Sequence, residues 1–391
     1  MKIITILGNN SGRNAGDNAI LGNLLDDFAL LRSDIHFKIP TLSPDFIRKN
    51  FGHHRVEPIG LLPWNLALKN LGWPMYRAMT DTQMVLIVDN ILFDRKLYNP
   101  FVNNLFSISL FAPFCKKKNI PIILYNGSIG PIDRPAGGRA LRHVLENSPL
   151  VITRDSRTKE LLDRLQINHP EVVIHADCAL NTEIPAAGRL EEIIRKEGLF
   201  ANPHGTIGLN VNAYIDDFNQ QGKMNRQDFC KIIAETADRL IDTLNVDILF
   251  TVSQIMDMAI TRECVNLSRH GQRIRIVGNC DYTYQELAGL LSKVDIHAGL
   301  RTHTLIFCAA VNTPMVNINA YPKSAGFINT IGMGDYTITF EQLNTESLTK
   351  LILQCWENRS QLRARMKPIV DEEKRKARAS VNLVSSILDR L

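Results

Sequence analysis

Short apolar runs alternate with longer amphipathic stretches over most of the chain. In the first half the runs fall at residues 3–7, 36–39, 84–88, 120–125, 150–153 and 172–175. Between them, 19–31, 101–115 and 156–165 repeat apolar residues at helical spacing. Strands apolar on both faces, joined by helical crossovers, are the pattern of a parallel sheet. The pattern breaks at 183–205, where Pro185 precedes a charged helical segment, LEEIIRKEG, and then the turn-like NPHG. A new run at 206–211 restarts the alternation, and 246–252, 273–277, 294–298 and 314–318 continue it, with helices expected at 227–244 and 284–291. The expected fold class is therefore α/β, two Rossmann-like domains facing a cleft in a GT-B-like architecture. The first domain is placed at 1–182, a linker at 183–205, the second domain at 206–360, and a charged helix at 361–391, interrupted by Pro368, packing back on the first domain.

Composition narrows the class. A length of 391 residues exceeds one ordinary core, and 45% hydrophobic with 22% charged residues is usual for a globular protein. The net charge of +5 is unclustered and excludes a dedicated nucleic-acid binder. The seven cysteines are dispersed with no C-x-x-C pair, the pattern of reduced, buried thiols. His53 and His54 have no matching ligands in sequence, so no metal site is expected. The opening MKIITILGNN reads as a buried first strand, not an export signal, and no run reaches the roughly 20 apolar residues of a membrane span. A cytoplasmic protein is expected. The stretch WNLALKNLGW, between Trp64 and Trp73, and the apolar helix ahead of Lys116, Lys117 and Lys118 either pack against the sheet or rest on an anionic membrane; packing is the ordinary outcome.

Ligands of open parallel sheets bind beyond the carboxyl ends of the strands, so the loops after strands are the candidates. GNNSGRNAGDNAI brings Gly8, Gly12 and Gly16 close to a ligand or simply makes a flexible turn, with Asp17 or Asn18 capping the next helix. YNGSIGPI offers the Ser128 hydroxyl in a glycine turn. ITRDSRTKELL ends a strand on Arg154, which either grips an anion or pairs with Asp155, and Asp155 or Ser156 caps the following helix. VDIHAGLRTHTL sets Arg301 and His303 at a helix N-terminus, where the helix end, a guanidinium and an imidazole together favour an anion. Lys323 follows the next strand and adds a second cation or a solvated one.

In this order the loops resemble the polysaccharide pyruvyl transferase family. Gly16-Asp17 matches the opening motif, GSIGPI the mid-domain glycine turn, and TRDSRTKELL an Arg-Asp-x-x-Ser-like segment with Thr158 in place of the serine. GLRTHTLIFCAAVNTPMVNINAYPKSAGF is similar to the carboxyl-terminal signature. Two departures stand out: VDNILFD, with Asp89 and Asn90, where a glycine-rich turn is usual, and Asn312-Thr313 in place of a glycine.

The resemblance implies transfer of a pyruvyl group from phosphoenolpyruvate onto a sugar as a ketal, in cell-surface or exopolysaccharide biosynthesis. Phosphoenolpyruvate is the donor substrate and no separate cofactor is needed. It implies His303 as general acid, Arg154, Arg301 and Lys323 holding carboxylate and phosphate, and Gly16, Asp17, Asn18 and Ser128 lining the substrate site. The first domain would take the acceptor and the second the donor. The partners expected are phosphoenolpyruvate and a sugar acceptor, free or lipid-linked; a lipid-linked acceptor would bring peripheral contact with the inner face of the membrane. A nucleotide-sugar-dependent GT-B glycosyltransferase and a non-catalytic sugar- or phosphate-binding protein are the alternatives.

Overall fold

Each of these apolar runs forms a strand, and every strand pairing is parallel. The structure, a computed structural model, describes residues 1–61, 67–99, 103–169, 171–215, 224–319 and 322–391, with side chains left out for 67–71 and 322–323. Trp64, Phe101 and the side chain of Lys323 therefore lie outside the described residues. The chain divides into two compact units: unit 1 is Met1–Gly12, Asp17–Cys178 and Glu373–Leu391, and unit 2 is Arg13–Gly16 and Ala179–Glu372.

Unit 1 is built on β1 (Lys2–Leu7), β2 (Ile35–Thr41), β3 (Val56–Gly60), β4 (Met84–Val88), β5 (Ile122–Gly127), β6 (Leu150–Thr153) and β7 (Glu171–Ile174). Their order in the sheet is β3-β2-β1-β4-β5-β6-β7. Every residue of β4, β5 and β6 is buried, as helices covering both faces require. Those helices are α1 (Ala15–Leu31), α2 (Pro44–Phe51), α3 (Ala67–Thr80), α4 (Asn104–Lys117), α5 (Pro135–Leu145) and α6 (Ser156–Arg164). β3 escapes the hydrophobic pattern because it is an edge strand, largely half-exposed, with Pro58 in its middle.

Unit 2 repeats the plan. After α7 (Ala187–Glu197) come β8 (Thr206–Asn210), α8 (Arg226–Leu244), β9 (Asp247–Val252), α9 (Met258–Leu267), β10 (Ile274–Gly278) and α10 (Tyr284–Leu291). Then follow β11 (Ile296–Gly299), α11 (Thr302–Ala310), β12 (Met315–Asn319), α12 (Pro322–Thr330), the short edge strand β13 (Thr337–Thr339), α13 (Thr345–Glu357) and α14 (Arg359–Leu388). The sheet order is β10-β9-β8-β11-β12-β13. In each sheet the first strand of the unit lies between strands running off in opposite directions, so β1/β4 and β8/β11 are the switch points where a crevice opens at the carboxyl ends.

Three expectations change. The passage between units comes at Cys178–Ala179, and 187–197 is helix α7 of unit 2 rather than connector. Leu190 and Ile193 are buried on its inner face, which is why this charged segment belongs to a core. Pro368 lies within α14 without ending it. Buried Leu362, Met366, Val370, Ala377, Val381, Val384 and Leu388 recur every three, four or seven residues and outweigh the one backbone bond a proline removes. Finally, α1 begins at Ala15, before Asp17 and Asn18: Asn14 Oδ1 accepts from Gly16 N at 2.9 Å, so Asn14 caps the helix and the other two sit in its first turn.

Candidate functional site

Unit 2 carries the tighter of two polar groups. After β11 the chain turns through Gly299 and enters α11, with Arg301 as its N-cap residue and His303 in its first turn. Arg301 N donates to Asn210 Oδ1 at 2.9 Å, tying the two strands of the switch point together. The guanidinium donates through Nε and Nη2 to the two oxygens of Asp257, at 2.7 and 2.6 Å, while its carbon lies 5.9 Å from the ring centre of Tyr214. Asp257 is fully buried and also accepts from Ala213 N at 2.9 Å. The pair fixes the fork of Arg301 beside the free N–H groups of the helix end, a combination that attracts an anion.

His303 is set by an unexpected neighbour. Residues Arg13–Gly16 belong to unit 2 although they follow the first strand of unit 1. Ala15 N donates to Ser253 O at 2.7 Å, Ile255 N to Arg13 O at 3.2 Å, and Asn279 Nδ2 to Arg13 O at 2.9 Å. Asn14 and Gln254 form an antiparallel bridge. This seats Gly16 against the imidazole so closely that a Cβ there would stand 2.1 Å from His303 Cγ. Only glycine fits. Around the same carboxyl edge, the buried atoms Asn212 Nδ2, Gln254 Oε1 and Asn279 Oδ1 have no partner among the described residues, as befits groups that meet a polar ligand.

Beneath the turn lies His297, fully buried in β11. Thr304 donates its hydroxyl hydrogen to Arg301 O at 2.8 Å, so neutral His297 is the donor across 3.3 Å to Thr304 Oγ1. Burial pushes this imidazole down to about 3. Gly208 and Gly299 clear its two faces, since a Cβ would stand 2.5 Å from Nδ1 at the first and 2.8 Å from Nε2 at the second.

Unit 1 carries the second group, at the carboxyl edge of β1, β4, β5, β6 and β7. Arg154 donates through Nη1 to Asp177 and through Nε to Ser128 Oγ at 3.2 Å, and the Ser128 hydroxyl in turn donates to Asp155. Burial works against the guanidinium charge, but the carboxylates of Asp177, Asp89 and Asp155 outweigh it and hold its pKa above the ordinary value. Sequence offered Arg154 an external anion or Asp155 as direct partner; its ion pair is with Asp177, delivered by the loop after β7. Asp155 caps α6 instead, accepting from Thr158 N at 3.0 Å. Thr158 Oγ1 accepts from Ile129 N at 3.1 Å, so the hydroxyl in the serine's place ties the two loops together. Asn9 Nδ2 donates to Asp89 Oδ2 at 3.0 Å across the β1/β4 switch point. Asp17 and Asn18 are buried, and Asn18 donates to Gly12 O at 3.3 Å.

Both departures from the family pattern are turns that favour glycine. Asp89 has φ 64° and Asn312 φ 58°, the left-handed region that aspartate and asparagine tolerate best among residues with a side chain. His53 and His54 do gain a carboxylate from the fold: the largely buried His54 side chain sets Nε2 3.0 Å from Oδ1 of the exposed Asp26. Lys323 stands in the first turn of α12. The residues that sequence reasoning missed, Asp177, Asn210, Asp257 and His297, come from other loops or from a strand interior. Only their positions at or near strand ends hinted at them.

The polysaccharide pyruvyl transferase family matches residues 14–320 of the chain. The chain belongs to this family. The match spans the Gly16 segment, the Arg154 loop and the Arg301–His303 turn, so the polysaccharide pyruvyl transferase signature runs through both polar groups. Amylovoran biosynthesis protein AmsJ of Erwinia amylovora is 23% identical over 96% of each chain. Among solved structures, UDP-GlcNAc 2-epimerase of Neisseria meningitidis bound to UDP-GlcNAc is similar with a TM-score of 0.66 at 10% identity, covering 100% of each chain. HepE of Anabaena, in complex with UDP and glucose, gives 0.63 at 12% identity with the same coverage. These likenesses establish the two-domain α/β fold that this pyruvyl transferase family member shares with epimerases and glycosyltransferases. No helix among the described residues is long and apolar enough to cross a membrane.

Proposed function

We propose that the chain transfers a pyruvyl group from phosphoenolpyruvate to a sugar, forming a ketal, with unit 2 as the donor-binding half. The observation that carries this reading is the first turn of α11, where Arg301 is held by Asp257 and His303 is held by Gly16. The reaction needs an acid at carbon and cations at oxygen. His303 delivers a proton to the methylene carbon of the enol, leaving an oxocarbenium-like centre at C2. One sugar hydroxyl bonds to C2 and returns its proton to the imidazole of His303. The C2–O bond to phosphate then breaks with its electrons on phosphate, and the second hydroxyl bonds to C2, giving its proton to the departing phosphate and closing the ketal. Arg301, the α11 N-terminus and Lys323 hold the phosphate and carboxylate. In unit 1, Arg154 is enclosed by carboxylates and suits a hydroxyl-bearing ligand better than an anion.

The test is thermal unfolding with phosphoenolpyruvate and, separately, with UDP and GDP. A ligand present at about 100 times its dissociation constant stabilises the folded state by about 2.7 kcal/mol. A rise with phosphoenolpyruvate, with phosphate release lost in His303→Gln, supports pyruvyl transfer. A rise with UDP alone would favour the nucleotide-sugar reading, which the nucleotide-bound structures of similar fold keep in view.

A further inference from the structure

The α3–α4 pair of unit 1 presents an apolar face that no packing among the described residues covers. α4 buries Leu105, Ile108, Ser109, Ala112 and Cys115 against the core. Its opposite side is where a surface helix carries polar residues; here Leu110 and Phe114, one turn apart, are 46% and 48% exposed. From α3, Trp73 is 62% exposed and stacks on Tyr76 at 5.5 Å between ring centres. Tyr76 meets Phe111 and Phe114 edge-on at 5.6 and 5.3 Å, making one continuous aromatic cluster across the two helices. Packing against the core absorbs the inner face of α4 and, on α3, Met75, Ala78 and Met79, while residues 64–66 and the side chains of 67–71 lie outside the described residues.

The charge around the cluster is mostly positive, with Asp81, just after α3, paired to Lys38. Neither α3 nor α4 contains an aspartate or glutamate. Arg77 lies on α3, and α4 runs out into Lys116, Lys117 and Lys118, all exposed. Lys116 reaches Glu146 of the neighbouring loop at 3.2 Å and Lys118 bonds Thr80 O at 2.9 Å, while Lys117 has no partner among the described residues. Tryptophan and tyrosine prefer the headgroup level of a bilayer, and lysines beside them find anionic lipid. A second copy of the chain is a poorer occupant, because a two-fold contact on this face would bring its own lysines together.

We propose that the α3–α4 face docks unit 1 on an anionic lipid surface, with Trp73, Leu110 and Phe114 entering the headgroup layer and Lys117 and its neighbours meeting lipid phosphate. The inference does not depend on the reaction assigned to unit 2. It is tested by co-sedimentation of the untagged, full-length protein with vesicles of phosphatidylcholine plus phosphatidylglycerol and with vesicles of phosphatidylcholine alone. The anionic vesicles should bind several-fold more protein, with binding falling as salt rises. Trp73→Ser with Phe114→Ser should weaken binding at least tenfold, and Lys117→Glu about fivefold or more. Lys117→Glu should keep the wild-type thermal midpoint because its side chain is exposed, and the aromatic double variant should keep a cooperative transition at a slightly lower midpoint, having lost two rings from Tyr76. Equal binding to the two vesicles, no binding, or retained binding in the aromatic double variant would each overturn the proposal. So would a concentration-dependent dimer that the same substitutions dissolve without any effect on vesicles.

Discussion

The two sheets present equivalent switch points with opposite chemistry. In unit 1 the asparagine after the first strand, Asn9, bonds the carboxylate of Asp89 after β4. In unit 2 the asparagine that ends the first strand, Asn210, accepts from the backbone N–H of Arg301 after β11. The architecture is the same to the level of one hydrogen bond, yet one crevice is lined by Asp89, Asp155 and Asp177 around a single arginine. The other joins an arginine, a histidine and a helix N-terminus around a single carboxylate. A shared fold therefore sets the same crevice in both units, while the residues around it set the sign of its charge.

The sharpest break in that comparison is removal of the acid. His303→Gln should lower turnover by about 10²–10⁴-fold while leaving phosphoenolpyruvate binding in place, measured by phosphate release against thermal shift. Full turnover in the variant would remove His303 from the chemistry. Next come the two buried ion pairs. Asp257→Ala and Arg154→Met each leave one buried charge unpaired and should cost about 3–5 kcal/mol in denaturant unfolding, in unit 2 and unit 1 respectively. If the units are as different as their charges, phosphoenolpyruvate should partly restore Asp257→Ala, where it meets an unpaired arginine, but not Arg154→Met, where only carboxylates remain.

Gly16→Ala should cost about 10²-fold in turnover, because a misplacement of roughly 1 Å at a reacting group is worth that much. Its thermal midpoint should change far less than that of the ion-pair variants. A fully active alanine variant would show that the imidazole is not held by this contact. The pH dependence of unit 2 is a smaller effect. His297 has a folded pKa near 3 against an ordinary 6.5, so the unfolded chain binds the extra proton between these values. Its contribution is complete above pH 6.5 and is lost as pH falls toward 3, by about 1.4 kcal/mol per pH unit. Unfolding curves in acid should show that slope for the native protein. The smallest change expected is Asn312→Gly, which relieves a left-handed backbone and should stabilise by no more than about 1 kcal/mol.

Much of the fold was legible because buried parallel strands are apolar without interruption, so runs such as 84–88 and 150–153 coincide with β4 and β6. The edge strands β3 and β13 were not, since β3 sets Glu57 and Pro58 among its apolar residues and β13 is only three residues long. The Arg301–His303 turn was legible as a glycine turn opening a helix. Its supports were not. Asp257 lies 44 residues from Arg301, and Gly16 opens α1 in a segment whose unit membership only the folded chain reveals. Arg154 shows the reverse case: the residue stood out, but its partner Asp177 arrives from the next strand and changes what the arginine is available to do.

That membership of Arg13–Gly16 has a consequence for how the protein is made. These four residues leave the ribosome long before the segment at Ala179–Glu372 that they must join. Domains ordinarily fold as they emerge, the N-terminal one first. Here the earlier folding event must leave four residues unclaimed until the later one arrives. The second unit is thus discontinuous in the gene, and a clone starting at residue 179 would encode a unit whose His303 lacks the glycine that shapes its socket.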